Sequence, residues 1–212
     1  MKHFLRFITY LVAAVGFSSA WAGAYEDFFG AIARDDARTI TELLQRGFDP
    51  NSRDEQGQAA LYVALRQPAP AAAEALWAHP QLDIHAANAA GETPLMMAAL
   101  RGQLAWAHKL LARGARVHQD GWAPIHYAAT GPEVELVRLL LDKGAPIDAR
   151  SPNGSTPLMM AARYGSEASV ELLLARGANP KLRNQRNLSA ADFARMDGRD
   201  ALAQRLEAAA AR

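Results

Sequence analysis

Histidines are the side chains of this sequence best suited to acid–base or metal chemistry, but their spacing supports neither. After residue 24 they are His79, His85, His108, His118 and His126. None belongs to a His-Glu-x-x-His motif, and no two lie three or four residues apart on a predicted helix, so the spacing of a zinc site is missing. His118 and His126 could meet around a short loop, but that spacing matches no ligand motif. We expect His126 to pack between helices and His118 to lie in solvent.

Cysteine and serine nucleophiles give no better support for catalysis. The sequence has no cysteine, which excludes disulfides, thiolate zinc sites and cysteine nucleophiles. Its serines lack the Gly-x-Ser-x-Gly elbow of a hydrolase, and no glycine-rich loop is suited to phosphate. The sequence therefore predicts a protein without catalytic residues, metal or cofactor. A hydrolase is a weaker alternative, because it needs carboxylates or histidines that converge in one groove.

The elements that position these side chains are repeated. "TPLMMAA" occurs at Thr93–Ala99 and again at Thr156–Ala162, with a looser copy, "APIHYAA", at Ala123–Ala129. Register glycines precede these phrases at positions 57, 91, 121 and 154, with spacings of 34, 30 and 33, and Asn187 takes the same place 33 residues later. A period of this length is typical of a stacked array of small units.

Each unit is predicted to contain two helices and a turn. Thr93 can cap the first turn of a helix, and Pro94 occupies the first helical position, where no amide donor is needed. A second apolar-striped helix follows Gly102 and ends before Gly114. The paired alanines at 98–99, 128–129 and 161–162 let the two helices approach closely.

With these motifs the chain resembles the ankyrin-repeat family. The resemblance rests on "GETPLMMAALRG", "APIHYAATG", "GSTPLMMAARYG" and the endings "LLARGA", "LLLDKGA" and "LLLARGA". It implies an all-α fold, an ankyrin-repeat solenoid of about five to six helix-turn-helix units joined by short β-hairpin-like fingers. The predicted repeats are 25–56 (N-terminal cap), 57–90 (irregular), 91–120, 121–153, 154–187 and 188–212 (C-terminal cap).

The sequence departs from the family phrase Thr-Pro-Leu-His in every unit. Met96 and Met159 replace the histidine, and His126 follows Ala123 where the family has threonine. The repeat at 57–90 lacks the Thr-Pro pair and is interrupted by prolines, so we expect it to be irregular. The finger between positions 114 and 121 is about three residues short, which predicts a notch.

The first 24 residues resemble an export signal. "MKHFLRF" carries two basic residues, an apolar run follows to Phe17, and "SSAWAGA" offers cleavage after Ala22 or Ala24. The run is shorter than the roughly 20 residues of a spanning helix, although an uncleaved anchor is the alternative. Removing the segment leaves 21 basic residues against 22 acidic ones. We therefore expect a periplasmic or secreted protein that binds no nucleic acid and does not insert stably into a membrane.

The resemblance implies a partner surface on the first helices and the finger tips. The residues it places there are Arg66, Gln67, Glu92, Leu100, Arg101, His118, Gln119, Trp122, Thr130, Arg150, Ser155, Arg163, Tyr164, Arg183 and Arg186. Trp122 is predicted either to pack on the short finger or to lie open for a partner. Around it, Arg101, Arg150, Arg163 and Tyr164 would form a basic, aromatic strip, and such residue types dominate interface energies.

The function predicted from this surface is non-enzymatic protein binding. The expected partner is another exported protein with an acidic patch, which would make this chain an immunity or inhibitor protein, or an accessory factor of an exported enzyme. Arg199, near the C-terminus, is expected to lie outside the binding strip. The alternative is a binder of cell-wall glycan or a small ligand, with Trp122 and Tyr164 as stacking platforms.

Overall fold

The computed structural model describes residues 23–212, so all but the last two residues of the predicted export signal lie outside the described range. The described chain is helical, with a single isolated bridge between Arg53 and Ala59 and no longer strand. The helices are α1 (23–33), α2 (Ala37–Gln45), α3 (Ala60–Arg66), α4 (Pro70–Trp77), α5 (Pro94–Leu100), α6 (Leu104–Ala112), α7 (Pro124–Thr130), α8 (Val134–Asp142), α9 (Pro157–Tyr164), α10 (Glu167–Ala175), α11 (Ala190–Met196) and α12 (Asp200–Ala210). They form six successive pairs, which confirms the predicted repeat architecture.

The described chain divides into two compact units, residues 23–83 and 84–212. The sequence predicted one array over 25–212. The boundary falls inside the segment 78–93 between α4 and α5, which is longer than the segments 113–123, 143–156 and 176–189 that join later pairs. In the unit 84–212, α7 contacts both α5 and α9, and α9 contacts α11. The second helices α6, α8 and α10 contact one another in the same order.

Methionine replaces histidine at the start of two of the first helices without loss of the cap. Thr93 Oγ1 accepts a hydrogen bond from the Met96 amide at 3.4 Å, and Met96 Sδ accepts one from the Thr93 amide at 3.4 Å. Thr156 and Met159 make the same reciprocal pair at 3.3 and 3.4 Å. The thioether thus satisfies an amide that would otherwise have no acceptor at a helix N-terminus.

Small residues allow neighbouring helices to approach closely. The paired alanines of the three TPLMMAA-like phrases, at 98–99, 128–129 and 161–162, have no exposed surface. Gly165, which follows α9, has no room for a side chain, since a Cβ atom there would lie 2.1 Å from the Ala129 carbonyl oxygen. The core therefore contains mainly alanine and aliphatic side chains, with few large rings.

The predicted fingers are hairpin turns without extended strands. In the finger before α9, the Gly154 amide donates to the Ser151 carbonyl at 2.8 Å, and the Ser151 amide donates to the Ser155 carbonyl at 3.0 Å. This pattern needs a left-handed residue at the fourth position of the turn. The register residues supply it: φ is 74° at Gly57, 77° at Gly91, 76° at Gly154 and 59° at Asn187.

The short finger is built differently. Gly121 keeps the left-handed conformation, with φ of 79°, but within residues 114–121 the two backbone bonds of the other turns are not formed. Instead, the Gln119 side-chain amide donates to the Gly91 carbonyl at 3.1 Å and to the Trp122 carbonyl at 3.0 Å. One side chain therefore replaces the missing turn and fixes the backbone at Trp122.

Candidate functional site

A cavity of about 260 Å³ opens among the first helices of the unit 84–212. It is lined by Leu100 from α5, Trp122 from the short finger, His126, Tyr127 and Thr130 from α7, and Met160 from α9. We call it the Trp122 pocket. Since α5, α7 and α9 contact one another in turn, three successive repeats contribute to a single concavity.

Trp122 packs on α7 and also faces the pocket. Its ring meets the His126 ring edge-on, with centroids 5.4 Å apart and planes at 80°, and the Tyr127 ring at 6.4 Å and 77°. The sequence offered packing on the finger and exposure to a partner as alternatives. The finger holds the Trp122 backbone through Gln119, and the half-buried ring forms one wall of the pocket.

His126 is fully engaged in structure. Its Nδ1 accepts a hydrogen bond from the Ala123 amide at 3.1 Å, so Nε2 carries the proton and faces the carbonyls of Ala149 at 3.0 Å and Ser155 at 3.2 Å. Burial lowers the pKa of His126 against the opposing effect of these backbone bonds, and nearby His118 lowers it slightly further. Neither ring nitrogen is free to ligate a metal, as expected for a packing histidine.

The hydroxyl groups of Thr130 and Tyr127 in the pocket are also hydrogen-bonded. Thr130 Oγ1 donates to the His126 carbonyl at 2.9 Å. The Tyr127 hydroxyl donates to Glu92 Oε1 at 2.9 Å, and Glu92 Oε2 accepts from Asn88 Nδ2 at 2.7 Å. The pocket therefore offers an occupant mainly carbon surface, and an apolar group fits it best.

Arg163 and Tyr164 lie at the end of α9, outside the lining of the pocket. The Arg163 guanidinium carbon lies 4.8 Å from the centroid of the Tyr164 ring, and Tyr164 is 52% exposed. Arg163 occupies the repeat position that Leu100 and Thr130 occupy on α5 and α7. It therefore extends the same row of residues, while exposed Arg101 follows α5 one position further on.

Several predicted finger-tip residues have structural roles. Arg150 donates from one guanidinium nitrogen to the carbonyls of Gly154 and Arg183, both at 2.8 Å, and Arg183 donates to the Asn187 carbonyl at 2.7 Å. Ser155 differs from the prediction, because it is only 1% exposed and its backbone forms part of the hairpin turn.

The remaining predicted residues are distributed over both units. His118 and Arg186 are exposed, and Gln119 is half-buried in the short finger. Arg66 and Gln67 belong to the unit 23–83, where they line a separate cavity.

Arg199 is more than a peripheral residue. One of its guanidinium nitrogens lies 3.2, 3.0 and 3.0 Å from the carbonyl oxygens of Ala161, Ala162 and Gly165. These carbonyls lie at the C-terminal end of α9, where Ala161 also accepts the Gly165 amide at 3.0 Å, so Arg199 caps that helix from the following repeat.

Besides His126, which was predicted to pack between helices, Tyr127 and Met160 are the pocket residues that the sequence did not single out as binding residues. Both stand six residues after a register glycine, Gly121 and Gly154. The equivalent residue after Gly91 is Met97, which is buried. The repeat register therefore gives the position, but only the local spacing of the helices decides whether the side chain reaches a cavity.

The described chain contains neither a metal-binding cluster nor a membrane-spanning helix. Across residues 23–212, His, Asp and Glu side chains nowhere gather in a group of three that could hold a metal ion. In the same range, none of the helices has the length and apolar character required to cross a membrane.

Comparison with known proteins relates the chain to repeat proteins. A family model described as ankyrin repeats (3 copies) matches residues 28–120 and 97–184. The B-cell lymphoma 3 protein homolog of Mus musculus is 30% identical over 152 residues, covering 68% of this chain and 34% of the relative. Human ankyrin repeat, SAM and basic leucine zipper domain-containing protein 1 is 36% identical over 104 residues, covering 46% of this chain and 22% of the relative.

A bacterial relative is similar to about half of the chain. An ankyrin repeat-containing protein of Treponema pallidum (strain Nichols) is 34% identical over 113 residues, covering 51% of this chain and 38% of the relative. The chain thus spans at most 38% of the length of these relatives.

Proposed function

Because the chain belongs to the ankyrin-repeat family, whose repeats imply a protein–protein interaction module, we propose that it is an exported protein that binds a protein partner through the Trp122 pocket. The observation that carries the proposal is an open, carbon-lined cavity. The polar groups of His126, Thr130 and Tyr127 in its lining already form hydrogen bonds within the protein.

The size of the pocket suits one side chain of a partner. Its volume of about 260 Å³ lies below the roughly 300–1,000 Å³ of pockets that enclose drug-sized ligands, whereas benzene fits a cavity of about 150 Å³. A leucine, methionine or phenylalanine side chain of the partner would bury its surface against Trp122, Leu100 and Met160. The indole N–H of Trp122 makes no hydrogen bond within residues 23–212, so it can donate to the backbone of the bound segment.

Charged contacts around the pocket would come from Arg101 and Arg163. Both arginines stand at the ends of first helices whose neighbouring residues line the cavity. An acidic patch on the partner would complement them, and the stacked repeats would hold these side chains in place before contact, so that less conformational entropy is lost.

Export is the second part of the proposal and rests on the sequence alone. The basic start, apolar run and small-residue cleavage pattern of residues 1–24 favour a periplasmic or secreted bacterial protein. An immunity protein, an inhibitor or an accessory factor of an exported enzyme would fit such a location. Cell fractionation followed by intact mass measurement tests this part, and a cytoplasmic protein with its first 24 residues retained would contradict it.

The binding test uses the tagged protein as bait for the exported fraction of its host. We expect one partner in stoichiometric amount, and titration calorimetry should show that Trp122→Ala weakens its binding by about 2 kcal/mol or more, roughly 30-fold. Arg163→Glu should weaken it by a similar amount. Lys143→Ala is the matched control, because Lys143 is exposed at the end of the second helix α8.

Circular dichroism must show that each variant is folded, since the Trp122 ring contacts His126 and Tyr127. Equal affinity of the wild type and the Trp122→Ala variant would contradict the pocket as the binding site. Retention on cell-wall glycan instead of a protein would favour the alternative, which the satisfied polar groups of the pocket make less suitable.

A further inference from the structure

A second cavity, of about 330 Å³, lies in the unit 23–83. Tyr25 and Phe29, one turn apart on α1, form its aromatic wall, with ring centroids 5.0 Å apart. Val63 of α3 contributes an apolar surface, and the Tyr25 hydroxyl donates to the Arg53 carbonyl at 2.9 Å. Helix α1, the first finger and α3 therefore meet around one concavity with a fixed aromatic side.

Carboxylates dominate the rest of this lining. Glu26, Asp54 and Glu55 line the cavity, and Arg66 is the cation among the lining residues. Asp54 Oδ1 is occupied by the amides of Gln56 and Gln58, at 3.0 and 2.8 Å. Glu26 and Glu55 are exposed and make no ion pair within the described chain.

The charge of these carboxylates acts on the aromatic wall. Burial, and then the negative charges of Asp54 and Glu55, raise the pKa of Tyr25. The cavity thus combines aromatic faces with negative potential, and both features favour the same kind of occupant, an organic cation.

We infer that this cavity is a subsite for an arginine side chain of the protein partner. A guanidinium group is flat enough to lie against the rings of Tyr25 and Phe29, and its fork of donors can reach the carboxylates of Glu26 and Glu55. The chemistry is opposite to that of the Trp122 pocket, which accepts an apolar group. The inference rests on the proposed function only in taking the occupant to belong to a protein.

The test uses short peptides as probes and needs no knowledge of the partner. Acetyl-Gly-Arg-Gly-amide is titrated into the full chain, whose N-terminus is identified by intact mass, and amide shifts are followed by NMR. We expect saturable shifts at Tyr25, Phe29 and residues 54–56 below about 10 mM peptide. The matched peptide with citrulline, which has the shape of arginine without its charge, should bind several-fold more weakly, and the lysine peptide should fall between them.

Variants locate the site. Glu26→Gln together with Glu55→Gln should weaken the arginine peptide by roughly 2- to 25-fold, since an exposed ion pair contributes about 1.5- to 5-fold. Phe29→Ala should weaken it through loss of the ring. Asp27→Asn is the control, because Asp27 lies on the same helix with the same charge but does not line the cavity.

Equal binding of the arginine and citrulline peptides, absence of saturable shifts, or unchanged binding by the Glu26→Gln/Glu55→Gln variant would each overturn the inference. These outcomes are independent of Trp122. If the Trp122→Ala variant loses partner binding but the wild-type protein does not bind the arginine peptide, this subsite would be contradicted and the proposed function would remain intact.

Discussion

At the scale of single residues, one position decides how each first helix begins. Met96 and Met159 fill it on α5 and α9, and His126 fills it on α7. A thioether can only accept the amide of the capping residue, whereas the histidine also reaches across to Ala149 and Ser155 in the next finger. The histidine therefore links two repeats by hydrogen bonds, but it also places a titratable group in the core.

Because His126 is titratable, we expect the free energy of unfolding to depend on pH in the acidic range. The folded pKa of His126 is lowered by burial, so below about pH 6.5 the unfolded chain binds a proton that the folded chain resists, and the free energy of unfolding should fall as pH decreases. This contribution is absent above that pH, where neither state is protonated. Urea unfolding at pH 7.5 and pH 5 measures the slope.

The control comes from the chain's own repeats. Ala123→Thr with His126→Met recreates the arrangement of Thr93 and Met96 and should flatten the pH dependence, whatever its stability at neutral pH. An identical slope in wild type and variant would show that His126 protonates without penalty.

Arg199 gives a second prediction at this scale. Its guanidinium caps the last carbonyls of α9, and its loss removes a charged hydrogen-bond donor from that helix end, so Arg199→Ala should lower the free energy of unfolding by about 1–3 kcal/mol. Urea denaturation measures it. Arg186→Ala, at an exposed finger residue, should change stability by less than about 0.5 kcal/mol, and equal effects of the two changes would refute the capping role.

At the scale of elements, helix ends meet backbone to backbone. A Cβ atom at Gly165 would lie 2.1 Å from the Ala129 carbonyl oxygen and 2.9 Å from the Ala161 Cα, although its φ of −90° is ordinary for any residue. The glycine is therefore required by the close approach of α7 and α9 and not by backbone strain.

Gly165→Ala should accordingly destabilise the fold by at least about 1–3 kcal/mol, the usual result of overpacking. Gly30→Ala is the opposite case, since on α1 its new methyl group would meet only the mobile guanidinium of Arg34. That change should leave stability unchanged or raise it by about 0.4–1 kcal/mol. Thermal unfolding of the two variants distinguishes them, and similar losses in both would contradict this explanation.

Much at this scale could be predicted from the sequence, because caps and turns are local. Helix starts are indicated by capping residues such as Thr93 and by Pro94 at the first helical position. Left-handed turn positions are indicated by the register glycines. In the short finger, by contrast, Gln119 replaces a turn. The Gln119 contacts could not be predicted together, since one of them reaches the carbonyl of Gly91 in the preceding finger.

At the scale of the whole molecule, each repeat in the unit 84–212 is supported by its neighbours. α8 buries Leu136, Val137 and Leu140, and contacts α6 before it and α10 after it. Leu139 and Leu141 on the same helix are half-buried. Stability in such an array is a sum over neighbouring units.

A chain ending after Gly144 should therefore aggregate, because it removes α9 and α10 from the faces of α7 and α8. Size-exclusion chromatography and a thermal melt report the outcome. Lysine at positions 139 and 141 of the fragment should reduce the aggregation by giving the new end a polar face. A soluble fragment that melts cooperatively without those lysines would contradict the neighbour-dependent core.

The family, and a count of five to six repeats, could be predicted from the repeated phrases and their period, since repetition is a property of the linear sequence. The division at Asp83–Ile84 and the Trp122 pocket did not. The pocket needs side chains from three repeats at once, and its shape depends on whether Tyr127 and Met160 turn toward the cavity or the core.

The order of contacts in the unit 84–212 also gives its response to tension. α12 rests on α11, α11 on α9, and α9 on α7. When the chain is pulled by its last residue, the helix pairs would unfold one after another from that end. Each unfolding event would release one helix pair and leave the preceding pair as the new end of the array. A force–extension curve recorded by pulling from that end should show a sawtooth pattern of force peaks of similar height.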